Sequence, residues 1–545
     1  MKVLNLLMLM MLSILLNAQV PLETNASWTS CLNTPGPGDI EFADIDNDGY
    51  LDMVTGNEFA PDSYSTCIYF NTGTGYDVNP SLILPDTNSC TVALGDLDND
   101  GDMDLASAYV GYIGSRIKLY LNEGGFDRIP DWIGSTGAVW LGWGDVDNDG
   151  DLDLGAVEFF GPACVYLNNN GVLEPTPSWQ ASDYFGPHLA GTWFDVDNDG
   201  DLDLAIGFNY RIYFNDNGIL ETVASWYPDT QLTYSGAGFS AGDINKDGLL
   251  DLVVGVGATY PASNVIHFNT PSGLETTPSW ISDDSSRTCR VALGDVNNDG
   301  YLDLAAVNGN MPSVVYHNNA GNLETNPGWQ ANSPIGNVWG IAWGDVDGDG
   351  VLSRTDTLTG DGFRKLFYVS HQPIHKFLDV IVDGFPLPFS DYCYNLTNGW
   401  MSLKDAPGNG SQVLIDYIYS ADLDLAVGVD SQPPAIHRNL MTGIEEEKPC
   451  ASHDKSFMNN NPNPFRNSTE ISVFLVQPDV ISLDIYDAVG KKVLQIFIGL
   501  KETGRHTFHW DGKDDRRKQC ASGIYFAELQ TKECGTSCKP IILTK

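Results

Sequence analysis

Asp44-Ile45-Asp46-Asn47-Asp48-Gly49-Tyr50-Leu51-Asp52 is the stretch on which the fold turns, because the chain writes it repeatedly. Copies run from Asp96 to Asp104, Asp145 to Asp153, Asp195 to Asp203, Asp243 to Asp251 and Asp295 to Asp303, and a seventh opens at Asp345. Their first aspartates are spaced 52, 49, 50, 48, 52 and 50 residues apart. A period of that length marks stacked or ring-closed supersecondary units, none of which buries its apolar face alone.

The nine residues are rich in hard oxygen donors. Positions 1, 3, 5 and 9 hold Asp44, Asp46, Asp48 and Asp52; Asp96, Asp98, Asp100 and Asp104; Asp145, Asp147, Asp149 and Asp153; and Asp195, Asp197, Asp199 and Asp203. The fifth and sixth copies carry Asp243, Asn245, Asp247 and Asp251, then Asp295, Asn297, Asp299 and Asp303. Glycine always follows at position 6. Oxygens gathered by a tight turn suit Ca²⁺, which takes six to eight of them. Position 7 varies among Tyr50, Asp102, Asp151, Asp201, Leu249 and Tyr301, as expected of a ligand that binds through its backbone carbonyl. An EF-hand needs Glu at position 12, where this chain has Thr55, Ser107, Ala156 and Ile206. Without a cation, carboxylates about 4 Å apart repel by roughly 4 kcal/mol per pair near a surface. Up to about seven structural Ca²⁺ ions are therefore expected, as pins rather than catalysts.

The charge is lopsided. Up to residue 447 there are 14 Lys and Arg against 61 Asp and Glu, whereas from residue 448 the counts are 14 and 11. Two different domains are implied, and the first excludes nucleic acid and anionic membrane as partners. Met1-Lys2, the apolar run Val3 to Leu16 and Asn17-Ala18 read as a signal peptide over residues 1–18, so the protein is expected outside the cytoplasm. No later stretch is long and apolar enough for a transmembrane helix. Ten cysteines are too sparse for a disulfide-built scaffold. Cys67 shares a repeat slot with Cys164, and Cys90 with Cys289, as small buried residues would; Cys534 and Cys538 are spaced to pair.

About four short strands fit each period, punctuated by Gly, Asn, Asp and Pro. The reading is all-β: a seven-bladed β-propeller over residues 19–440, with a linear solenoid as the alternative. The termini favour the ring. An outer segment recurs as Leu173 to Trp179, Leu220 to Trp226, Leu274 to Trp280 and Leu323 to Trp329, and also at Leu22 to Trp28, ahead of any complete repeat. The last copy ends near Asn439 without one. The N-terminal segment is thus expected to complete the last blade and hide its open edge.

These residues, among them Leu94-Gly95-Asp96-Leu97-Asp98-Asn99-Asp100-Gly101 and Leu204-Ala205-Ile206-Gly207, resemble the FG-GAP repeats of integrin α-subunit propellers and the related bacterial VCBS repeats. The resemblance covers roughly residues 20–440. It implies Ca²⁺ in loops at one face and ligand recognition by other loops, with no single chemistry.

The seventh copy breaks off after Asp345-Val346-Asp347-Gly348-Asp349-Gly350 and resumes at Ala421-Asp422-Leu423-Asp424. Residues 351–420 are read as a small inserted β-domain with adjacent ends, leaving Asp345, Asp347, Asp349 and Asp424 as ligands. After a linker over 441–460, residues 461–545 alternate as strands. Asn461-Pro462-Asn463-Pro464-Phe465, Tyr486-Asp487-Ala488-Val489-Gly490, Trp510-Asp511-Gly512 and Gly523-Ile524-Tyr525-Phe526 resemble the sorting domain of type IX secretion substrates, or the similar FlgD-type immunoglobulin-like domain. A C-terminal Ig-like β-sandwich is expected, with the secretion machinery as a partner.

Catalytic motifs are scarce. His267 and His437 fall where other repeats have Tyr, and His317 where others have Leu or Phe, so all three are expected to pack. His371 and His375 have helical metal spacing, but Pro373 lies between them. Phe42, Trp143, Trp193 and Trp343 recur two residues before the phrase and are expected in the core or along the channel. Function is expected as a secreted or surface propeller presenting a rigid face to an extracellular protein or glycan. The alternatives are a polysaccharide-acting enzyme, whose acid pair would stand outside the repeat, and an architectural surface module.

Overall fold

The computed structural model describes residues 21–31, 37–57, 66–73, 75–85, 89–108, 116–183, 189–207, 209–229, 236–257, 261–332, 336, 338–429, 433–440, 457–461, 469–475, 479–487, 491–501, 504–513, 516–520, 523–531 and 535–543. The signal peptide, most of the linker, Pro462 to Phe465 and the side chains of Cys534 and Cys538 lie outside the described residues. The chain divides into two compact units, Met1–Thr442 and Gly443–Lys545.

In the first unit each nine-residue phrase joins the first two strands of a small antiparallel sheet. Sheet three is typical: Trp140–Gly144, Asp153–Val157, Ala163–Tyr166 and Trp179–Gln180 lie side by side in chain order. Seven such sheets stand among the described residues, the fourth with three strands. Each first strand packs on the next around the set, and the last, Val338–Gly344, packs on the first, Pro37–Ala43. This is a closed ring, not a solenoid. Sheet seven closes it by combining both ends of the unit: Trp28 pairs with Ile436 and Thr29 with Ala435. Glu23 N–H also donates to Arg438 O at 2.9 Å. The pairing leaves no bare edge there.

The aromatics before the loops form the inter-sheet core. Trp143 and Trp193 are 2% exposed, and Trp193 Nε1 donates to Gly142 O at 3.0 Å. A Cβ on Gly95 would stand 2.8 Å from Trp143, and one on Gly294 2.9 Å from Trp343, so the glycine before each of these loops makes room for the next sheet's indole.

The insert forms two sheets. Val351–Thr359, Gln412–Ser420, Ile374–Val382 and Phe385–Pro386 make one, and Leu366–Tyr368, Trp400–Leu403 and Tyr392–Asn395 the other. Its ends meet, since Val351 pairs with Ser420 and Ala421 N–H donates to Gly350 O at 2.9 Å. The turn at Asp383-Gly384 has both residues at positive φ, 51° and 82°, the geometry of a tight hairpin.

The second unit also has two sheets. Phe457–Asn461, Thr469–Leu475 and Gly504–Trp510 form one; Lys492–Lys501, Asp479–Asp487, Gly523–Thr531 and Gly535–Leu543 form the other. Ile471, Val473, Ile481, Leu483, Ile485 and Trp510 are among its buried residues. The first strand begins upstream of the boundary expected at 461.

Candidate metal centres

The third loop shows how sequence becomes geometry. Asn148 takes a left-handed φ of 61° and Gly150 one of 91°, values that Asn tolerates and Gly adopts freely. The chain then curls back on its own acids. Gly150 N–H donates to Asp145 at 3.1 Å, Asp149 N–H to Asp145 at 2.9 Å and Asp151 N–H to Asp149 at 3.0 Å. Asp153 holds the loop from below, accepting from Val146 N–H at 2.9 Å and Asn168 N–H at 2.7 Å.

The same bonds recur round the ring. The position-1 acids Asp44, Asp96, Asp195, Asp243, Asp295 and Asp345 each accept from the position-6 glycine N–H at 2.7–3.1 Å. The position-9 acids Asp52, Asp104, Asp203, Asp251, Asp303 and Asp424 each accept from the position-2 N–H at 2.8–3.1 Å.

Ligand atoms converge in five loops among the described residues. Asp44, Asp46 and Asp48; Asp96, Asp98 and Asp104; Asp145, Asp147 and Asp153; Asp195, Asp197 and Asp199; and Asp345, Asp347 and Asp349 each bring three oxygens within 4.8 Å of one another. In the third loop Asp147 Oδ1 is buried without a hydrogen-bond partner, which suits an oxygen meant for a cation. Burial pushes Asp145 and Asp96 up to about 7 and Asp104 to about 8, with neighbouring carboxylates adding to the shift. Such a cradle calls for a proton or a cation. The residues present fit Ca²⁺.

The fifth and sixth loops differ because position 3 is amide. Asn245 Nδ2 donates to Asp247 at 3.1 Å, within the loop. In the sixth, Asn297 Nδ2 lies 2.9 Å from His317 Nδ1, which lies 2.9 Å from Asp303. His317 therefore does more than pack: it touches two expected ligands, and Asp303 pulls its pKa upward. His267 is packing as expected, edge-on to Trp226.

At position 7 the side chain makes bonds of its own where it is Asp. Asp102, Asp151 and Asp201 accept from Asn47, Asn99 and Asn148 of the preceding loop at 2.7–2.9 Å, clipping neighbours together. In all six unbroken copies the position-7 backbone N–H donates to the position-5 Asp at 2.9–3.0 Å. In the seventh loop Asp422 takes the equivalent place. It lies against Asp349 and is pushed up to about 9 by burial and by that neighbour. The sequence reading passed over it.

A second ring also went unread. Asn71, Asn122, Asn168, Asn215, Asn269, Asn318 and Asn439 each donate their backbone N–H to a position-9 Asp at 2.6–2.8 Å. Each Nδ2 then reaches the position-2 carbonyl of the preceding loop at 2.6–2.9 Å: Val346, Ile45, Leu97, Val146, Val196, Ile244 and Val296. The signal was an Asn in one slot of every repeat.

The insert lies across these loops. Lys376 Nζ is 3.2 Å from Asp44, Arg364 pairs with Asp195 at 3.7 Å, Lys365 Nζ donates to Asn148 O at 2.7 Å and Ser402 Oγ donates to Asp145 at 2.5 Å. Such spread-out grips make it a cap rather than a freely hanging domain.

The FG-GAP-like repeat family matches residues 44–107, 145–206 and 295–353, and the FlgD Ig-like domain family matches 468–533. The chain carries FG-GAP-like repeats and a FlgD Ig-like domain. No curated protein matches this FG-GAP repeat chain. Among solved structures it is similar to PorZ of Porphyromonas gingivalis, described as an essential surface component of the type IX secretion system. The identity is 10% and the TM-score 0.36, over 95% of this chain and 61% of PorZ. The chain thus spans about three fifths of that relative. It is also similar to BBS1N, solved in complex with ARL6DN (13% identity, TM-score 0.40, 77% of this chain and 99% of that one). A third likeness is to the exotype rhamnogalacturonan lyase YesX (14%, 0.33, 53% and 56%). No helix among the described residues is long and apolar enough to cross a membrane.

Proposed function

We propose that this FG-GAP repeat chain is an exported propeller, pinned by Ca²⁺, whose insert presents a rigid face to an extracellular protein or glycan. The observation that carries this is the insert's surface. Phe363, Phe385 and Phe389 stand 87%, 63% and 41% exposed on a domain clamped across the loops. Large apolar side chains left in water on a rigid platform suit recognition. The repeated acids are absorbed by the scaffold's own bonds, so recognition falls to the part that does not repeat. The N-terminal apolar run supports export, and the FlgD-type unit supports a role for the secretion machinery or attachment at the cell surface.

The test is binding of the full chain to a glycan array and to an array of extracellular-matrix proteins, in Ca²⁺. Phe363→Ser and Phe385→Ser together are expected to lower binding by roughly tenfold or more at an unchanged melting temperature. Binding that survives both changes would overturn the insert as the recognition face.

A further inference from the structure

The ring encloses a channel with a cavity of ≈ 200 Å³, lined by the first strands of the sheets and roofed at the loop end by Pro373 to His375 and Asn395 to Asn398 of the insert. Gln372 Nε2 fixes the roof, donating to Ala241 O at 3.0 Å.

The wall is written mostly in small residues. Three positions before each loop, six of seven sheets have Gly, Ala, Ser or Thr; only Glu41 breaks the row. Five positions before, Thr91, Ala190, Gly238 and Gly340 are small, and the exceptions are Asp39, Trp140 and Arg290. All four exceptions line the cavity, and the three at the fifth position lie toward the end away from the loops and their cap.

The exceptions are built in. Asp39 accepts from Thr91 Oγ1 at 3.0 Å and Val92 N–H at 3.3 Å, and Glu41 Oε2 accepts from Leu94 N–H at 2.7 Å. Both carboxyls are thereby fixed on the inner edge of sheet two, with acceptor capacity to spare. Arg290 is held by Ala237 O at 2.8 Å. The indole of Trp140 lies over two glycines. A Cβ on Gly142 would fall within its ring atoms, and one on Gly191 would stand 2.8 Å away. The wall has thus been cut back in two sheets to seat one aromatic ring.

We infer that this end of the channel, bounded by Asp39, Glu41, Trp140 and Arg290, is a binding site for a single uncharged sugar ring. The cavity is smaller than the usual drug-sized pocket, so it takes one ring rather than a chain. An indole offers a flat apolar face for the C–H side of a sugar, and the fixed carboxyls and guanidinium offer partners for its hydroxyls. Charge selects against ions. Burial raises the Asp39 carboxyl against the pull of the Arg290 charge, and burial and Asp39 push Glu41 up to about 8, which favours a protonated Glu41 that donates as well as accepts at neutrality. The inference goes beyond the insert-face reading and stands without it, because none of these residues belongs to the insert or to a metal loop.

The test titrates the full chain in Ca²⁺ with neutral methyl hexosides and N-acetylhexosaminides, and with glucosamine, glucuronate and a zwitterionic amino acid, reading calorimetry and tryptophan fluorescence. At least one neutral glycoside is expected to saturate. Trp140→Ala is expected to weaken it roughly tenfold, and Glu41→Gln, which preserves size and the bond from Leu94, severalfold. Phe363→Ser with Phe385→Ser is expected to leave it unchanged, which separates this site from the insert face. The inference is overturned if no neutral glycoside saturates, if a charged probe binds more tightly than every neutral one, or if Glu41→Gln, folded as judged by melting, binds like the parent.

Discussion

Sheets three and seven make the same object from different material. Sheet three is written in one run, residues 140–180, around an unbroken loop. Sheet seven is assembled from Val338–Gly344, Asp424–Val429, Ala435–His437 and, from the far end of the unit, Trp28–Thr29, with a 70-residue domain splitting its loop (residues 351–420). The bonds are nonetheless the same. Asp153 and Asp424 each accept from a position-2 N–H at 2.9 Å and an asparagine N–H at 2.7 Å. The loop's geometry therefore resides in the bonds at its two ends and not in chain continuity between them. The insertion is tolerated because Gly350 and Ala421 meet across one hydrogen bond, and the insert's last residue, Ser420, itself donates to Asp345 at 3.0 Å.

Cation removal should act on both sheets and have the largest effect. A site occupied at a hundred times its Kd contributes about 2.7 kcal/mol, and several loops share the load. Chelator is expected to lower the melting temperature on the order of 10 °C in scanning calorimetry. An unchanged melting curve would remove Ca²⁺ from the account. Replacing Asp147 by Ala and, separately, Asp347 by Ala should each remove one bound ion in a metal count. Loss from the first alone would show that the split loop does not bind.

The next contrast is between Asn168 and Asn439. Asn168 Nδ2 donates to Leu97 O at 2.8 Å and its Oδ1 accepts from Gly171 N–H at 2.9 Å; Asn439 Nδ2 donates to Val296 O at 2.8 Å. Alanine strands a buried carbonyl in either case, at about 1–3 kcal/mol. Urea melts would read both. If Asn439→Ala were silent while Asn168→Ala was not, the seam of the ring would be open in solution.

Much of this was legible in the chain. A phrase returning every 48–52 residues leaves few folds available, and Leu22 to Trp28 ahead of the first repeat announced how the ring closes. What stayed hidden has physical reasons. The asparagines were periodic, but their partners lie about 70 residues back, and period alone does not say what a slot touches. Lys376 and Arg364 carry no period, so their seats on Asp44 and Asp195 required the insert's docked position. Asp39, Glu41, Trp140 and Arg290 stand in slots that are otherwise small, and sequence alone does not tell that these slots line a cavity.

The smallest effect is expected where the outer strands clasp their neighbours. Trp179 Nε1 donates to Leu220 O at 3.0 Å, and Trp28 Nε1 to Tyr76 O at 3.1 Å. Trp226, Trp280 and Trp329 repeat the clasp, the last onto Leu22 O at 2.9 Å. Phenylalanine at either position keeps an aromatic ring and removes the donor, so about 1 kcal/mol is expected in each case. Both tryptophans belong to two-residue strands with a single pairing partner, but Trp179 pairs with Val165 earlier in the same run, whereas Trp28 pairs with Ile436 from the other end of the unit. Limited proteolysis sharpens the comparison: Trp28→Phe should speed cleavage of the N-terminal segment, and Trp179→Phe should leave its own strand protected. Equal protection in both variants would mean that backbone pairing alone holds the seam.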